Sequence, residues 1–352
     1  MTDIPLGSEP AVQATPVLSA RAASILPPLA AMTFPLYVWC FFTSLSAMRA
    51  AEGNGKVPFL FATAASLCLT AIPTLASYFL LLRPREHSDA FLGKRWIAYL
   101  AFASPALFTL ELVVFAGLRI SPNDWLFWLP VWAALTIFAA IPSEQRFIAR
   151  TGAQTRKLRF AHGVSAATIL VLFLVAHLGN HFVGLLGAQV HIDVMDFLRK
   201  WYRIGLVEAG ILGLFLFQVV TGLKLALVKQ SERNEPFRIL QIGTGIGLMT
   251  FLSAHLLIIL VFARWVNNVD TNWIFATGSK TGLLGSLNYS RLVPYYWFAV
   301  FTIFTHLACG LRVVFLSHGM GKLLSDRLAL AVICIGALFA SATVAGMVGF
   351  RL

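Results

Sequence analysis

Seven of the eight histidines in this 352-residue chain fall after residue 150, and five of those stand inside long apolar runs. The run RFAHGVSAATILVLFLVAHLGNHFVG carries His162 near its start, then His177 and His181 four residues apart, on one helical face. IGTGIGLMTFLSAHLLIILVFARW carries His255, and YYWFAVFTIFTHLACGLRVVF carries His306. Ionisable side chains are costly in hydrocarbon, so each is a candidate functional group. Bare imidazoles on apolar faces of different helices suit axial ligation of a b-type haem, and bundle cores are where such cofactors sit. Cys40, Cys68, Cys309 and Cys334 lie in apolar stretches with no CxxC or CxxCH spacing. That pattern excludes a zinc ribbon, covalent haem attachment and iron–sulfur ligation by this chain.

The elements that must position these histidines are membrane helices. Hydrophobic residues make up 58% of the chain and charged residues 12%, with a mean hydropathy of +0.79. A soluble domain carries about a quarter charged residues, so a water-soluble enzyme is excluded. Nine runs reach about 20 apolar residues, enough to cross about 30 Å of hydrocarbon: 28–48, 58–82, 96–118, 124–143, 160–186, 204–228, 239–263, 294–316 and 326–350. The expected fold is all-α and polytopic, because backbone polar groups in lipid must be satisfied within each segment. Pro73, Pro105 and Pro130 fall within runs and are expected to kink them.

The 27 Lys and Arg outnumber the 15 Asp and Glu, a net +12. In a membrane chain this is a topology signal, and no run of five like charges suggests a nucleic-acid partner. Seventeen of the 27 basic residues assign to one face. That puts the N-terminus inside and, with nine spans, the C-terminus outside. The chain divides into a four-helix region of unknown role, 1–150, and a five-helix bundle, 151–352, which holds all the buried histidines.

Depth pairs two histidines. His177 lies 18 residues beyond Arg159 and His255 lies 17 beyond Arg238, about 27 and 26 Å from the inner side. His306, 12 residues beyond Pro294, is about 18 Å down from the outer side and too deep to share that site.

These stretches resemble the single-chain, five-helix, di-haem cytochrome b membrane anchor of succinate dehydrogenase and fumarate reductase. The resemblance covers about residues 155–350. It rests on RFAHGVSAATILVLFLVAHLGNH, FQVVTGLKLA, LQIGTGIGLMTFLSAHL and FTHLACGLRVVF. It implies haem b and quinone as cofactors, and separate flavoprotein and iron–sulfur subunits on the cytoplasmic side of a bacterial inner membrane. The basic loops 83–95 and 144–159 would receive them. It implies His177 and His255 as iron ligands of the outer haem and His306 as one ligand of the inner haem. Where the second inner ligand would stand, this chain has Gln218, a poor haem ligand. Three arrangements stay open: a single outer haem, an inner haem on His306 alone, or rescue by His162. We read one outer haem, with the second unassigned.

Other residues have paired readings. Glu208 is a proton acceptor for quinol oxidation, or an interfacial carboxylate paired with a base such as Arg203. His181 contacts quinone or a haem propionate, or faces the outer interface. Arg203, Lys224 and Arg312 pair with propionates, or snorkel. Gly243, Gly245 and Gly247 permit close approach of a helix or macrocycle. His87, His191 and His318 read as solvated. The leading function is a b-type cytochrome passing electrons between a quinone pool and a partner subunit. The rivals are a haem- or redox-sensing membrane protein, a histidine-relay transporter, and an anchor whose histidines only bridge helices. The unequal polar content of the halves counts against a transporter built of two equivalent repeats.

Overall fold

Proline punctuates the first half of the chain. The computed structural model describes residues 20–83, 92–120, 124–141, 155–229, 235–278 and 282–352, and these contain helices and no strand. Helices α1 (Ala20–Met32) and α2 (Phe34–Ala50) meet at a 41° bend, with Pro35 opening α2. Helix α3 (Lys56–Leu69) gives way to α4 (Ile72–Leu82), opened by Pro73. Helix α5 (Leu92–Phe102) meets α6 (Ser104–Leu118) at 80°, with Pro105 in the first turn of α6. Proline lacks the N–H and clashes with the preceding turn, so a helix stops before it and restarts on it. Pro130 lies inside a single helix, α7 (Asp124–Ala140), with no break at it.

The second half starts with one 31-residue rod, Arg156–Leu186. It comprises α8 (Arg156–Ile169), a π-helical segment Leu170–Leu174, α9 (Val175–Phe182) and a 3-10 turn Val183–Leu186. Then follow α10 (Ala188–Tyr202), α11 (Gly205–Lys229) and α12 (Pro236–Leu256), the last extended by a π-helical segment Leu257–Val266. Short helices α13 (Trp273–Thr277) and α14 (Leu287–Ser290) lead into α15 (Leu292–Ser317) and α16 (Lys322–Met347).

Among the described residues, six helices are long and apolar enough to cross a bilayer, or eight if each bent pair is one span. The sequence predicts nine. The difference is α7: its 17 residues reach about 25 Å, short of the hydrocarbon thickness. The basic segments 84–91 and 142–154, with His87, Arg146 and Arg150, lie outside the described residues.

Apolar side chains face outward as well as inward. Phe160 and Val171 are each 75% exposed and Leu206 is 86% exposed, an arrangement suited to lipid and not to water. Inside, α12 packs against α15 and α11 of the second half and against α5 and α6 of the first, and α15 also meets α6. One core cluster draws on both halves, including Phe41, Phe102, Ala254 and Tyr295. Arg291 ties the halves together. It is 1% exposed, donates to Phe108 O and Asn288 O at 2.9 Å each, and lies 3.9 Å over the Phe108 ring.

Candidate functional site

The α8–α9 rod, α11, α12 and α15 surround a cavity of about 420 Å³. Its wall includes His162, His177, His181, His191, His255 and His306. Each histidine arrives there by helix register. His177 and His181 are one turn apart, and His255 lies at the junction of α12 with its π-helical extension. A π-helical segment also precedes His177. Such segments re-aim the side chains that follow and are common at functional sites.

The histidines form two cross-cavity pairs. The rings of His177 and His255 have centroids 6.2 Å apart with planes at 72°. The rings of His162 and His306 have centroids 6.4 Å apart with planes at 71°. A metal ion bound by two imidazoles at about 2 Å each separates ring centres by about 6 Å. Gly245, beside His306, and His255 lie ten residues apart on α12, so the pairs are stacked about 15 Å from each other along the helix.

Hydrogen bonds set the tautomers of the second pair. Thr221 Oγ1 donates to Phe217 O at 2.6 Å, so it accepts from His162 Nδ1 at 2.8 Å. His306 Nδ1 donates to Gln241 O at 3.1 Å, with Thr244 Oγ1 at 3.2 Å. Both rings therefore carry the proton on Nδ1 and the lone pair on Nε2. That is the state a metal-ligating imidazole adopts when its other nitrogen is fixed by a carbonyl or hydroxyl. Gln218 turns away from ligation. Its Nε2 donates to His162 O at 2.8 Å and to Ser165 Oγ, locking α8 onto α11. A Cβ at Gly245 would stand 3.1 Å from His306 Cε1, so glycine makes room for that ring. Its neighbours serve helix packing: a Cβ at Gly243 would meet Phe102, and one at Gly247 would meet Phe298.

The first pair is held by aromatic contacts. His177 stacks on Phe173 at 4.8 Å and His255 stacks on Phe251 at 5.2 Å. Beyond them, at the end near α10, the wall turns polar. Arg264 binds both oxygens of Glu208, at 2.5 and 3.3 Å. The partner of Glu208 is thus Arg264 and not Arg203. Arg203 lines the cavity and donates to Thr271 Oγ1 at 3.2 Å. Burial, then the nearby Arg199 and Arg264, lowers its pKa. Arg312 stands away from the cavity wall. It is 4% exposed, held by Glu235 at 2.7 Å and Asp326 at 2.5 Å.

One residue corrects the sequence reading. His191, expected to be solvated, is 2% exposed. Its ring lies 5.3 Å from His181 and 4.4 Å from Trp273, and its Nε2 meets Asn180 Nδ2 at 3.2 Å. Burial, with His181 and Arg199 adding, pushes its pKa down to about 3. The signal was available: His191, Met195 and Arg199 recur at four-residue spacing in α10 and so share one face.

Among the described residues, no three His, Cys, Asp or Glu side chains group as a metal site. His177 adjoins two other imidazoles, His181 at 4.8 Å and His255 at 6.2 Å, while His162 faces His306 at 6.4 Å; two imidazoles are the number that an axial haem site takes. Compared with known proteins, the chain matches no protein-family model, no curated protein and no solved structure. Fold and hydropathy together define it as an α-helical integral membrane protein with a histidine-lined cavity among its helices.

Proposed function

We propose that this chain is a membrane-embedded b-type cytochrome holding two haems and passing electrons between a quinone or quinol and a partner redox subunit. The observation that supports this is the repeated pair geometry: two imidazoles from separate helices, at 6.2 Å and again at 6.4 Å, across one cavity. His177 and His255 hold the haem nearer α10. His162 and His306 hold the other, with His162 replacing the ligand that Gln218 cannot provide. Bound haem supplies one-electron transfer.

The protein's own groups orient and balance charge. Thr221 and Gln241 O fix the imidazoles, Arg203 offers positive charge to a propionate, and Glu208 accepts a proton from quinol. The basic residues collected on one face support an N-terminus inside a bacterial inner membrane; with α7 too short to cross, eight crossings return the C-terminus to the same side. Flavoprotein and iron–sulfur subunits then dock on the cytoplasmic basic segments. The test is an optical spectrum of the purified chain, oxidised and dithionite-reduced, with haem counted per chain. A b-type α-band and two haems are expected. A featureless spectrum from folded protein overturns the reading.

A further inference from the structure

Polar atoms collect at the α10 end of the cavity without matching each other. Asn180, His191 and Thr343 are 7%, 2% and 2% exposed, and all three line the cavity, as does His181. Asn180 Nδ2 donates to His191 Nε2, which puts the His191 proton on Nδ1. That N–H has no acceptor among the described residues. Nor do Asn180 Oδ1, His181 Nδ1 and Thr343 Oγ1 have partners there. Buried polar groups are nearly always matched, so a cluster of four marks a polar ligand.

The chemistry of the cluster describes that ligand. Donor and acceptor are both neutral, because His191 stays uncharged and Arg199 is engaged by Asp270 at 2.9 Å. The rings of His181 and Trp273 flank His191, giving flat walls. Phe182, Leu186 and Val190, close in sequence to Asn180, His181 and His191, are exposed apolar side chains suited to lipid. A flat, uncharged head group with carbonyl or hydroxyl oxygens, arriving from hydrocarbon, satisfies all three conditions.

We propose that Asn180, His181, His191 and Thr343 bind the head group of a membrane quinone. The His191 Nδ1–H donates to one ring oxygen, and Asn180 Oδ1 accepts from the hydroxyl of the reduced form. This rests on the cytochrome reading for the identity of the ligand and assigns residues to it.

The test is photolabelling of the purified full chain with an azido-substituted short-chain benzoquinone, followed by peptide mapping. Haem is counted in the same sample. Label on 180–195 or at Trp273 or Thr343, displaced by unlabelled decyl-benzoquinone, is the expected result. Label elsewhere, or none that competes, overturns the site whatever the haem count. Label here on folded, haem-free protein supports the site and sinks the cytochrome reading alone. His191→Ala is expected to weaken the competitor about tenfold, as for loss of one buried hydrogen bond, with His191→Gln recovering part of it. Affinity within twofold of the parent in His191→Ala overturns the role of His191.

Discussion

His162 and His306 face each other across the cavity with ring centres 6.4 Å apart, although 144 residues separate them in the chain. Each is fixed through Nδ1, and neither depends on Gln218 as a ligand. The pair reproduces the spacing of His177 and His255 to within 0.2 Å.

Removing one member of a pair should therefore remove one haem and spare the other. His162→Ala and His306→Ala are each expected to halve the haem per chain from two to one. His162→Ala combined with His255→Ala is expected to leave none. Haem content by pyridine haemochrome, read against protein concentration, checks this. Two haems retained in His162→Ala would remove His162 from the ligand set.

Thr221 should matter through His162 alone. Thr221→Val deletes the acceptor of the His162 Nδ1 proton. Loss of such a partner typically weakens metal binding about 10–100-fold. Transfer of haem to an apoprotein scavenger should accelerate for one of the two haems, while Thr221→Ser retains near-parental kinetics.

Arg291 should be a stability residue. Arg291→Ala abandons Phe108 O and Asn288 O, and loses the packing over Phe108. The expected cost is about 3 kcal/mol, the order for charged hydrogen bonds in a buried site. Arg291→Lys should not rescue it, because an ammonium cannot serve both carbonyls and stack on a ring. Thermal unfolding in detergent provides the measurement, and a Lys variant as stable as the parent would count against the stacked geometry.

His191 should give the fold a pH dependence. Its pKa falls from 6.5 in the unfolded chain to about 3 in the folded protein. Between those values the unfolded state binds the extra proton and gains by it. Stability should then be level above about pH 6.5 and fall as pH drops toward 3, by at most about 1.4 kcal/mol per pH unit. His191→Gln should flatten that part of the profile. An unchanged slope in the variant would show that His191 titrates normally.

The membrane character, the helical class and several helix boundaries were legible because they depend on local chemistry. Apolar runs must close their own hydrogen bonds in lipid, and Pro73 and Pro105 interrupt the helices of their runs. The shared face of His177 and His181 and the matched depths of His177 and His255 follow from a constant rise per residue. The same arithmetic failed where geometry is not local. Among the described residues, nine apolar runs became six to eight spans, because α7 is short and two runs bend by 41° and 80°, magnitudes that a proline's position in the sequence does not give. Depth from one face also says nothing about which helices pack together, and that packing brings His162 to His306. The burial of His191 was open to a periodicity argument, but its contact with Trp273 was not, since an intervening chain of 81 residues folds back to make it. Glu208 shows the same limit. Its nearest base in sequence is Arg203, yet Arg264 holds it, because the π-helical extension of α12 carries that guanidinium across the cavity mouth. Sequence alone determined which residues are too costly to sit in lipid without a purpose. Tertiary structure decided which of them meet, because helix crossing and tilt are set by packing between segments far apart in the chain.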